Sequence, residues 1–274
     1  MGYESWLGRS ETREDTIPPA LAGRLAVTLG VPEPADGSLP PLGHWTLFQD
    51  WLPAEALGAD GHPRRGGFLP PVHELPRRMW AGGRIEVSGA LLPGDAVRRT
   101  STILAIEEKA GRSGLLVFVT VGHLLDGPRG PVLVEEHDIV YSAVASAARP
   151  AEPATPPPQG ALVEERRPDS VTLFRYSALT GNGHRIHYDL DYARGVESYP
   201  GLVVHGPLQA TWLAHLVMRV QPGRRLARFA FRGRRPAFHD RILRLEARSE
   251  GGGVTARSRD DAGAVLMTAQ AELV

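Results

Sequence analysis

A proline-rich run at residues 145–160 divides this chain of 274 residues into two parts, each of ordinary domain size. The run contains five prolines among its alanines, a composition typical of a stiff, extended connector. We therefore predict two domains, at residues 1–148 and 163–274, joined by a linker at 149–162.

The first part places one helix before a run of strands. Leu21, Leu25 and Leu29 recur every four residues and predict an amphipathic helix that ends near Gly30. Aromatic and β-branched residues predict a short strand at 44–48. Longer strands are expected at 96–109, 115–121 and 132–144.

The second part repeats this order of elements without a residue-by-residue repeat. A strand is expected at 170–174 and a helix at 208–218, where Pro207 suits the first turn. A basic turn is expected at 232–236. The remaining strands are expected at 226–231, 241–249, 254–259 and 264–274. A helix followed by antiparallel strands, twice over, predicts an α+β fold.

The stretch at residues 174–208 combines histidines with turn-forming residues. His184 and His187 stand three apart, and His205 directly precedes Gly206. Glycines and prolines between them allow turns and a close approach of the backbone. Titratable groups in such turns, flanked by apolar residues, indicate a functional site rather than a core.

A second irregular stretch occupies residues 51–69 of the first part. It holds four glycines and the basic pair Arg64-Arg65. A loop of this length inside a compact domain is usually functional or mobile.

The composition excludes several classes of protein. Lys and Arg total 31, as do Asp and Glu, so net charge favours neither nucleic acid nor an anionic membrane. The absence of cysteine excludes disulfides, thiolate metal sites and a cysteine nucleophile. No apolar run approaches the ~18 residues that a membrane span needs. Residues 1–15 are polar and lack a secretory core, so a cytoplasmic enzyme is expected.

Several segments resemble the MaoC-like enoyl-thioester hydratases and dehydratases. Residues 176–181 are similar to the lead-in of that family's hydration signature, and His187 falls on its catalytic histidine. Residues 203–206 fall on the start of its central helix. Asn182 stands where the family usually has an acidic residue, and residues 184–185 replace its Asn-Pro pair.

The resemblance extends over nearly the whole chain. Three segments look like the N-terminal half of a two-domain group in this family: RRMWAGGR, GRSG with LLVFVTV, and EEHDIVY. That group includes mesaconyl-C4-CoA hydratases, itaconyl-CoA hydratases and type 2 hydroxyacyl-thioester dehydratases. The resemblance implies two hot-dog domains side by side, each an antiparallel sheet wrapped around a central helix. It also implies that the second domain carries the site, while a non-catalytic first domain lines the acyl channel.

The activity implied by the resemblance is that of a hydro-lyase, which adds or removes water across the α,β double bond of an enoyl or 3-hydroxyacyl thioester. A small dicarboxylic acyl-CoA such as mesaconyl-C4-CoA or itaconyl-CoA is the expected substrate, and an acyl-carrier-protein thioester is the alternative. No cofactor and no nucleic-acid or membrane partner is expected. The protein is expected to form a homodimer. A dehydratase of fatty-acid or polyketide type, a thioesterase and a non-catalytic thioester binder remain alternatives, because the fold alone does not decide between them.

Each candidate site residue has a chemical reason. A neutral imidazole suits His187 as a base, and the N–H of Gly206 at a helix start suits a thioester oxygen. Asn182 can orient water with His187, but an amide cannot cycle a proton as a carboxylic acid can. Arg185 could bind an acyl carboxylate, or it could pair with an aspartate at 189–191. The other predicted substrate-binding residues are His184 and His205 beside the site, Arg78 and Trp80 in the acyl channel, and Arg232 and Arg235 at the phosphates of coenzyme A.

Two of these assignments have plainer alternatives. The arginines at 232–235 also fit a solvated hairpin turn. His184, His187 and His205 could hold zinc, but no carboxylate-rich pattern accompanies them and no metal is predicted.

Overall fold

The described residues form two five-stranded halves that join edge to edge in one antiparallel sheet of ten strands. The computed structural model describes residues 2–111, 114–143 and 156–274. The strands of the first half are β1 (Ser10–Thr16), β2 (Arg77–Val87), β3 (Ala96–Gly111), β4 (Gly114–Gly127) and β5 (Gly130–Ser142). Those of the second half are β6 (Leu162–Arg166), β7 (Leu226–Gly233), β8 (Leu243–Glu250), β9 (Gly253–Arg259) and β10 (Val265–Leu273). The helices are α1 (Leu21–Leu29), α2 (Ser170–Thr180), α3 (Leu190–Gly195) and α4 (Gly206–Val220).

The two halves share one strand order. Read from its outer edge inwards, the first half runs β1-β3-β4-β5-β2, and the second runs β6-β8-β9-β10-β7. The fifth strand in each order therefore meets its counterpart at the centre of the sheet. The repeated order of elements that the sequence predicts is thus present as a repeated strand topology.

The central pair, β2 and β7, brings the backbones of the halves together. Gly82 pairs with Arg232 next to a bulge in β2. A Cβ on Gly82 would stand 2.4 Å from the carbonyl oxygen of Phe231, so a side chain there would push the halves apart. Gly83 is equally constrained, because its Cβ would stand 2.7 Å from the carbonyl oxygen of Glu136.

Helix α4 fills the inner face of the second half. Leu208, Leu213 and Val217 are fully buried on it, and the helix packs against strands β7–β10. The indole N–H of Trp212 donates to the carbonyl of Leu29, 2.9 Å away at the end of α1. The helix predicted at 208–218 is therefore confirmed, with a start two residues earlier than predicted.

In the first half, a shorter helix and an irregular segment pack on the face of the sheet that α4 covers in the second half. The predicted helix of the first half is confirmed as α1, which ends at Gly30 in the left-handed conformation with φ 65°. Beyond α1, an irregular segment covers the strands, where Val72 and Leu75 pack against Ile103 and Val117. Among the described residues, no helix in this half matches α4 in length. None of the described helices is long and apolar enough to cross a membrane.

Two predicted strands are wrong. Residues 44–48 lie in and after a 3-10 turn, Gly43–Thr46, which follows Leu42 at φ 63°. Residues 170–174 open helix α2, because the Asp169 carboxylate caps it by accepting the N–H of Thr172 at 2.7 Å. In both places a local hydrogen bond or tertiary contact outweighs β propensity.

Most other boundaries shift slightly, whereas β4 ends six residues beyond the strand predicted at 115–121. The basic turn predicted at 232–236 begins later, because Arg232 and Gly233 still belong to β7. Half of the predicted linker, residues 149–155, lies outside the described residues, and β6 begins at Leu162. Residue 144, the end of one predicted strand, also lies outside them.

Candidate active site

Three histidines of the second half converge at the start of α4. The rings of His187 and His205 stack face to face, with centroids 3.6 Å apart and planes 18° from parallel. The ring of His184 lies 5.6 Å from that of His187 and stands at 88° to it. His205 directly precedes Gly206, the first residue of α4, so the cluster lies against the helix N-terminus.

His187 is held as a neutral imidazole with one defined tautomer. Its Nδ1–H donates to the carbonyl of Val203 at 2.7 Å, which leaves Nε2 without a proton. The residue is 7% exposed, and burial lowers its pKa to about 4. Nε2 of His187 can therefore accept a proton throughout the neutral pH range.

His205 lies beneath His187 and supports it. The residue is fully buried, and one ring nitrogen, Nε2, lies 2.8 Å from the hydroxyl of Ser177 on α2. Its Nδ1 has no hydrogen-bond partner among the described residues. Burial holds the pKa of His205 well below its usual value, so this ring is neutral as well. The predicted contact of His205 with substrate stays a prediction.

Asn182 occupies the turn that follows α2. Gly181 ends that helix in the left-handed conformation, with φ 61°. The side-chain oxygen of Asn182 then accepts the backbone N–H of His184 at 2.9 Å. That bond shapes the loop before His184, and the group that Asn182 can offer a water molecule is its NH2.

Arg185 is engaged within the protein. Its guanidinium donates to the carboxylate of Asp189 at 2.7 and 3.0 Å and to the carbonyl of Ala59 at 3.1 Å. It also stacks 4.3 Å from the ring centroid of Tyr192. The geometry favours the pairing with an aspartate over a contact with an acyl carboxylate.

A loop of the first half reaches this cluster. Gly61, at φ +85°, faces Gly183 so closely that a Cβ on it would stand 2.0 Å from the Gly183 carbonyl oxygen. The carbonyl of Asp60 accepts the backbone N–H of Arg185 at 2.9 Å. Across this contact the ring of His62 lies 4.2 Å from that of His184.

Asp60 and His62 form a hydrogen-bonded pair within that loop. The Nδ1–H of His62 lies 3.1 Å from Oδ2 of Asp60, and Oδ1 accepts the backbone N–H of His62, also at 3.1 Å. Burial raises the pKa of Asp60, but the bonds from His62 outweigh it and hold the pKa well below its usual range. Burial lowers the pKa of His62 despite that carboxylate. The sequence analysis did not identify Asp60 or His62 as site residues. The length of the loop at 51–69 was the one sign that this segment could be functional.

The same residues include a set of metal-ligand type. One atom each of Asp60, His62 and His184 lie within 4.8 Å of one another, and two imidazoles with a carboxylate suit zinc. The three histidines considered from the sequence as zinc ligands are not the metal-ligand set found among the described residues, and His187 and His205 each use a ring nitrogen in another hydrogen bond.

Trp80, on β2, forms a wall beside the start of α4. A Cβ on Gly206 would stand 3.4 Å from Cε3 of Trp80, so the indole lies against that glycine. Behind it pack Trp45, Phe231 and His137, with ring centroids 4.9, 4.7 and 5.1 Å from that of Trp80. The backbone N–H groups at the first turn of a helix have no intrahelical partner and lie at its positive end.

Arg78, two residues earlier on β2, also belongs to the site region. Burial is the main cause of the low pKa values of His62 and His184, and the positive charge of Arg78 lowers both further. It lies opposite Tyr141 of β5 in the sheet, and its charge opposes the rise in the pKa of Tyr141 that burial causes. The structure thus brings the predicted residues Arg78 and Trp80 to the same region as the histidines.

Arg232 and Arg235 lie apart from the histidines. On β7, Phe229 and Phe231 face α4, and Arg232 therefore faces the opposite side of the sheet. There it lines a cleft with other arginines such as Arg248. Arg235 follows β7, and its N–H donates to the carbonyl of Leu266 at 3.2 Å. A role of these arginines at coenzyme A phosphates stays a prediction.

Comparison with known proteins gives consistent matches. The sequence model of the family "hydroxyacyl-thioester dehydratase type 2" matches residues 42–239. The mesaconyl-C4-CoA hydratase of Chloroflexus aurantiacus is 44% identical over 277 residues, which cover 99% of this chain and 98% of that protein. The mitochondrial hydroxyacyl-thioester dehydratase type 2 of Schizosaccharomyces pombe is 26% identical and covers 86% of each chain.

Solved structures show the same fold at low sequence identity. A MaoC-like dehydratase from Phytophthora capsici has a TM-score of 0.76 at 15% identity and covers 100% of this chain and 98% of its own. A Mycobacterium tuberculosis protein described as a double hotdog has a TM-score of 0.62 at 11% identity, over 98% of this chain and 96% of its own. The predicted α+β fold of two hot-dog units is confirmed.

Proposed function

This chain belongs to the hydroxyacyl-thioester dehydratase type 2 family, and we propose that it is a hydro-lyase acting on the α,β double bond of a small acyl-CoA thioester. The identity with a mesaconyl-C4-CoA hydratase over the full length of both chains supports this reaction class. The observation that carries the mechanism is the buried imidazole of His187, whose Nδ1–H bonds Val203 and leaves Nε2 free to take a proton.

Hydration of a conjugated thioester needs a base and a site for negative charge. In our proposal, Nε2 of His187 takes a proton from water while the water oxygen bonds the β-carbon. The electron pair of the double bond moves towards the thioester oxygen. The proton on His187 then passes to the α-carbon, which restores the neutral imidazole. Dehydration follows the same path in reverse.

The start of α4 suits the developing thioester oxyanion. The first backbone N–H groups of a helix lack intrahelical partners, and the helix dipole favours negative charge there. Gly206 lies at this position, and Trp80 packs against the place where a side chain would stand. We assign the Gly206 N–H to the thioester oxygen.

The aromatic wall supports a short acyl group. Trp80 packs against Gly206 and is backed by Trp45 and Phe231, so bulky rings occupy the space next to the proposed oxyanion site. A small dicarboxylic acyl group, such as the mesaconyl group in the name of the Chloroflexus relative, suits such a space better than a long chain. Arg78, near His62 and His184, is the cation that we assign to a substrate carboxylate.

Loss of conjugated absorbance tests the reaction directly. Purified protein is mixed with mesaconyl-C4-CoA, itaconyl-CoA or crotonyl-CoA, and the absorbance of the enoyl thioester is followed. We expect hydration of the dicarboxylic substrates in preference to crotonyl-CoA. Release of free thiol without loss of the double bond would instead identify a thioesterase.

The His187→Ala variant tests the proposed base. General acid–base groups contribute about 10²–10⁴-fold, so the variant should lose at least about 10² in kcat while its thermal unfolding stays cooperative. Turnover near that of the wild type would exclude His187 as the base.

A further inference from the structure

A carboxylate–imidazole pair from the first half of the chain lies at the histidine cluster of the second half. Asp60 and His62 stand on a closed loop whose ends, Leu57 and Pro63, form a β-bridge. The loop meets the site through the contact of Gly61 with Gly183. The family resemblance implies a non-catalytic first domain, and this pair has no role in that expectation.

The reacting water needs a second polar partner besides His187. Asn182 uses its side-chain oxygen on the backbone N–H of His184, and an amide cannot exchange a proton as a carboxylic acid can. Asp189 accepts from Arg185 and from the backbone N–H of Tyr192. The carboxylate nearest in chain position to the cluster is therefore already occupied.

The pair from the first half has the geometry for this task. Asp60 accepts the Nδ1–H of His62, which fixes the ring orientation and leaves its Nε2 unprotonated. A carboxylate bonded to the far nitrogen makes the near nitrogen a stronger acceptor and stabilises any positive charge on the ring. Both oxygens of Asp60 take part, since the second one accepts the backbone N–H of His62.

The pair is connected to His187 through the ring of His184. The ring of His62 lies 4.2 Å from His184, and the ring of His184 lies 5.6 Å from His187. A single water molecule can be held between two such neutral acceptors, with one hydrogen directed to each.

We propose that His62, positioned by Asp60, holds the reacting water together with His187, so that the active site is built from both halves of the chain. The inference rests on the proposed hydro-lyase function. His187 still takes the reacting proton and returns it to the α-carbon, and His62 accepts the other hydrogen of the same water. His62 is then a catalytic residue, and Asp60 is its positioning residue.

Three variants test this inference on the full-length protein. His62→Ala removes the acceptor, and Asp60→Asn keeps the Oδ1 contact with the backbone while it removes the acceptor for the Nδ1–H. His73→Gln, at an exposed histidine further along the same connecting segment, is the control. The readouts are kcat, KM, the pH dependence of kcat, and recovery of activity on addition of free imidazole.

We expect kcat to fall about 10²-fold in His62→Ala and about 10-fold in Asp60→Asn, with KM within about threefold of the wild type. Imidazole should restore part of the activity of His62→Ala, an effect that a merely structural role would not produce. His73→Gln should match the wild type. If His62→Ala does not fold, Asp60→Asn decides the question by the same measure.

Two results would overturn the inference while leaving the hydro-lyase intact. One is a wild-type kcat and pH profile in both Asp60→Asn and His62→Ala. The other is one equivalent of zinc in the purified enzyme, with activity lost to a chelator and restored by Zn²⁺, which would make Asp60, His62 and His184 a metal centre. A wild-type protein that hydrates no enoyl-CoA would instead refute the proposed function itself.

Discussion

Replacement of Gly61 by alanine should slow hydration far more than it destabilises the fold. A Cβ at this position would stand 2.0 Å from the carbonyl oxygen of Gly183 and 3.0 Å from its carbonyl carbon. The two loops would have to separate by more than about 1 Å, because an ordinary contact distance begins at 3.4 Å. A displacement of about 1 Å in a catalytic constellation costs about 10²-fold in rate. We therefore expect kcat to fall by about that factor in Gly61→Ala.

Gly94 provides a matched control for backbone strain. Its φ is +84°, against +85° at Gly61, but nothing lies within 4 Å of a Cβ built on it. Alanine in the left-handed region costs about 1–2 kcal/mol at either position. Gly94→Ala should therefore lose about 1–2 kcal/mol of unfolding free energy, measured in urea, and keep its kcat.

The comparison of the two variants can refute the reasoning. Gly61→Ala with a wild-type kcat would show that the loop contact does not position the site. An equal fall of kcat in Gly94→Ala would show that general strain, and not the contact with Gly183, slows the reaction.

Four further outcomes are expected. Ser177→Ala removes the partner of the buried His205 and should cost about 1–3 kcal/mol in urea unfolding, together with a lower kcat. Trp80→Leu opens the aromatic wall and should raise kcat/KM for longer enoyl-CoA substrates relative to short ones, measured in the absorbance assay. Burial raises the pKa of Glu135, but His137 and His44 outweigh burial and hold this pKa well below 4.5. The Glu135 carboxylate therefore stabilises the fold above pH 4.5, and this stabilisation is lost as pH falls through the folded-state pKa. Unfolding free energy should decline below about pH 5, and less steeply in Glu135→Gln. Because burial lowers the pKa of His187 to about 4, protonation of this ring should reduce kcat/KM only below about pH 5, which rapid pH-jump kinetics can measure before acid unfolding.

Helices α1 and α4 could be predicted from the sequence because their signals, leucine spacing and a Gly-Pro start, are local. Leucines four apart define α1, and a start at Gly206-Pro207 defines α4. Residues 44–48 could not be predicted correctly, because the indole N–H of Trp45 reaches Glu135, 90 residues away. That contact holds a 3-10 turn where aromatic and β-branched residues otherwise favour a strand.

Half of the site could be found from the sequence for a similar reason. His184, His187 and His205 share one glycine-rich stretch, so their types and spacing are visible together. Asp60 and His62 lie more than 120 residues earlier, and only the folded chain brings them to His184. The engagement of Arg185 could be named only as one of two alternatives, and its hydrogen bonds now favour the pairing with Asp189.

The join between β2 and β7 makes each half of the molecule incomplete without the other. Either half produced as a separate polypeptide would expose a long strand edge at the former centre of the sheet, and such edges promote aggregation. Separate genes for the two halves would therefore have to be expressed together to give soluble protein. The outer strands β1 and β6 do not join the two halves, so the sheet can accept added segments at its two outer edges more readily than at its centre.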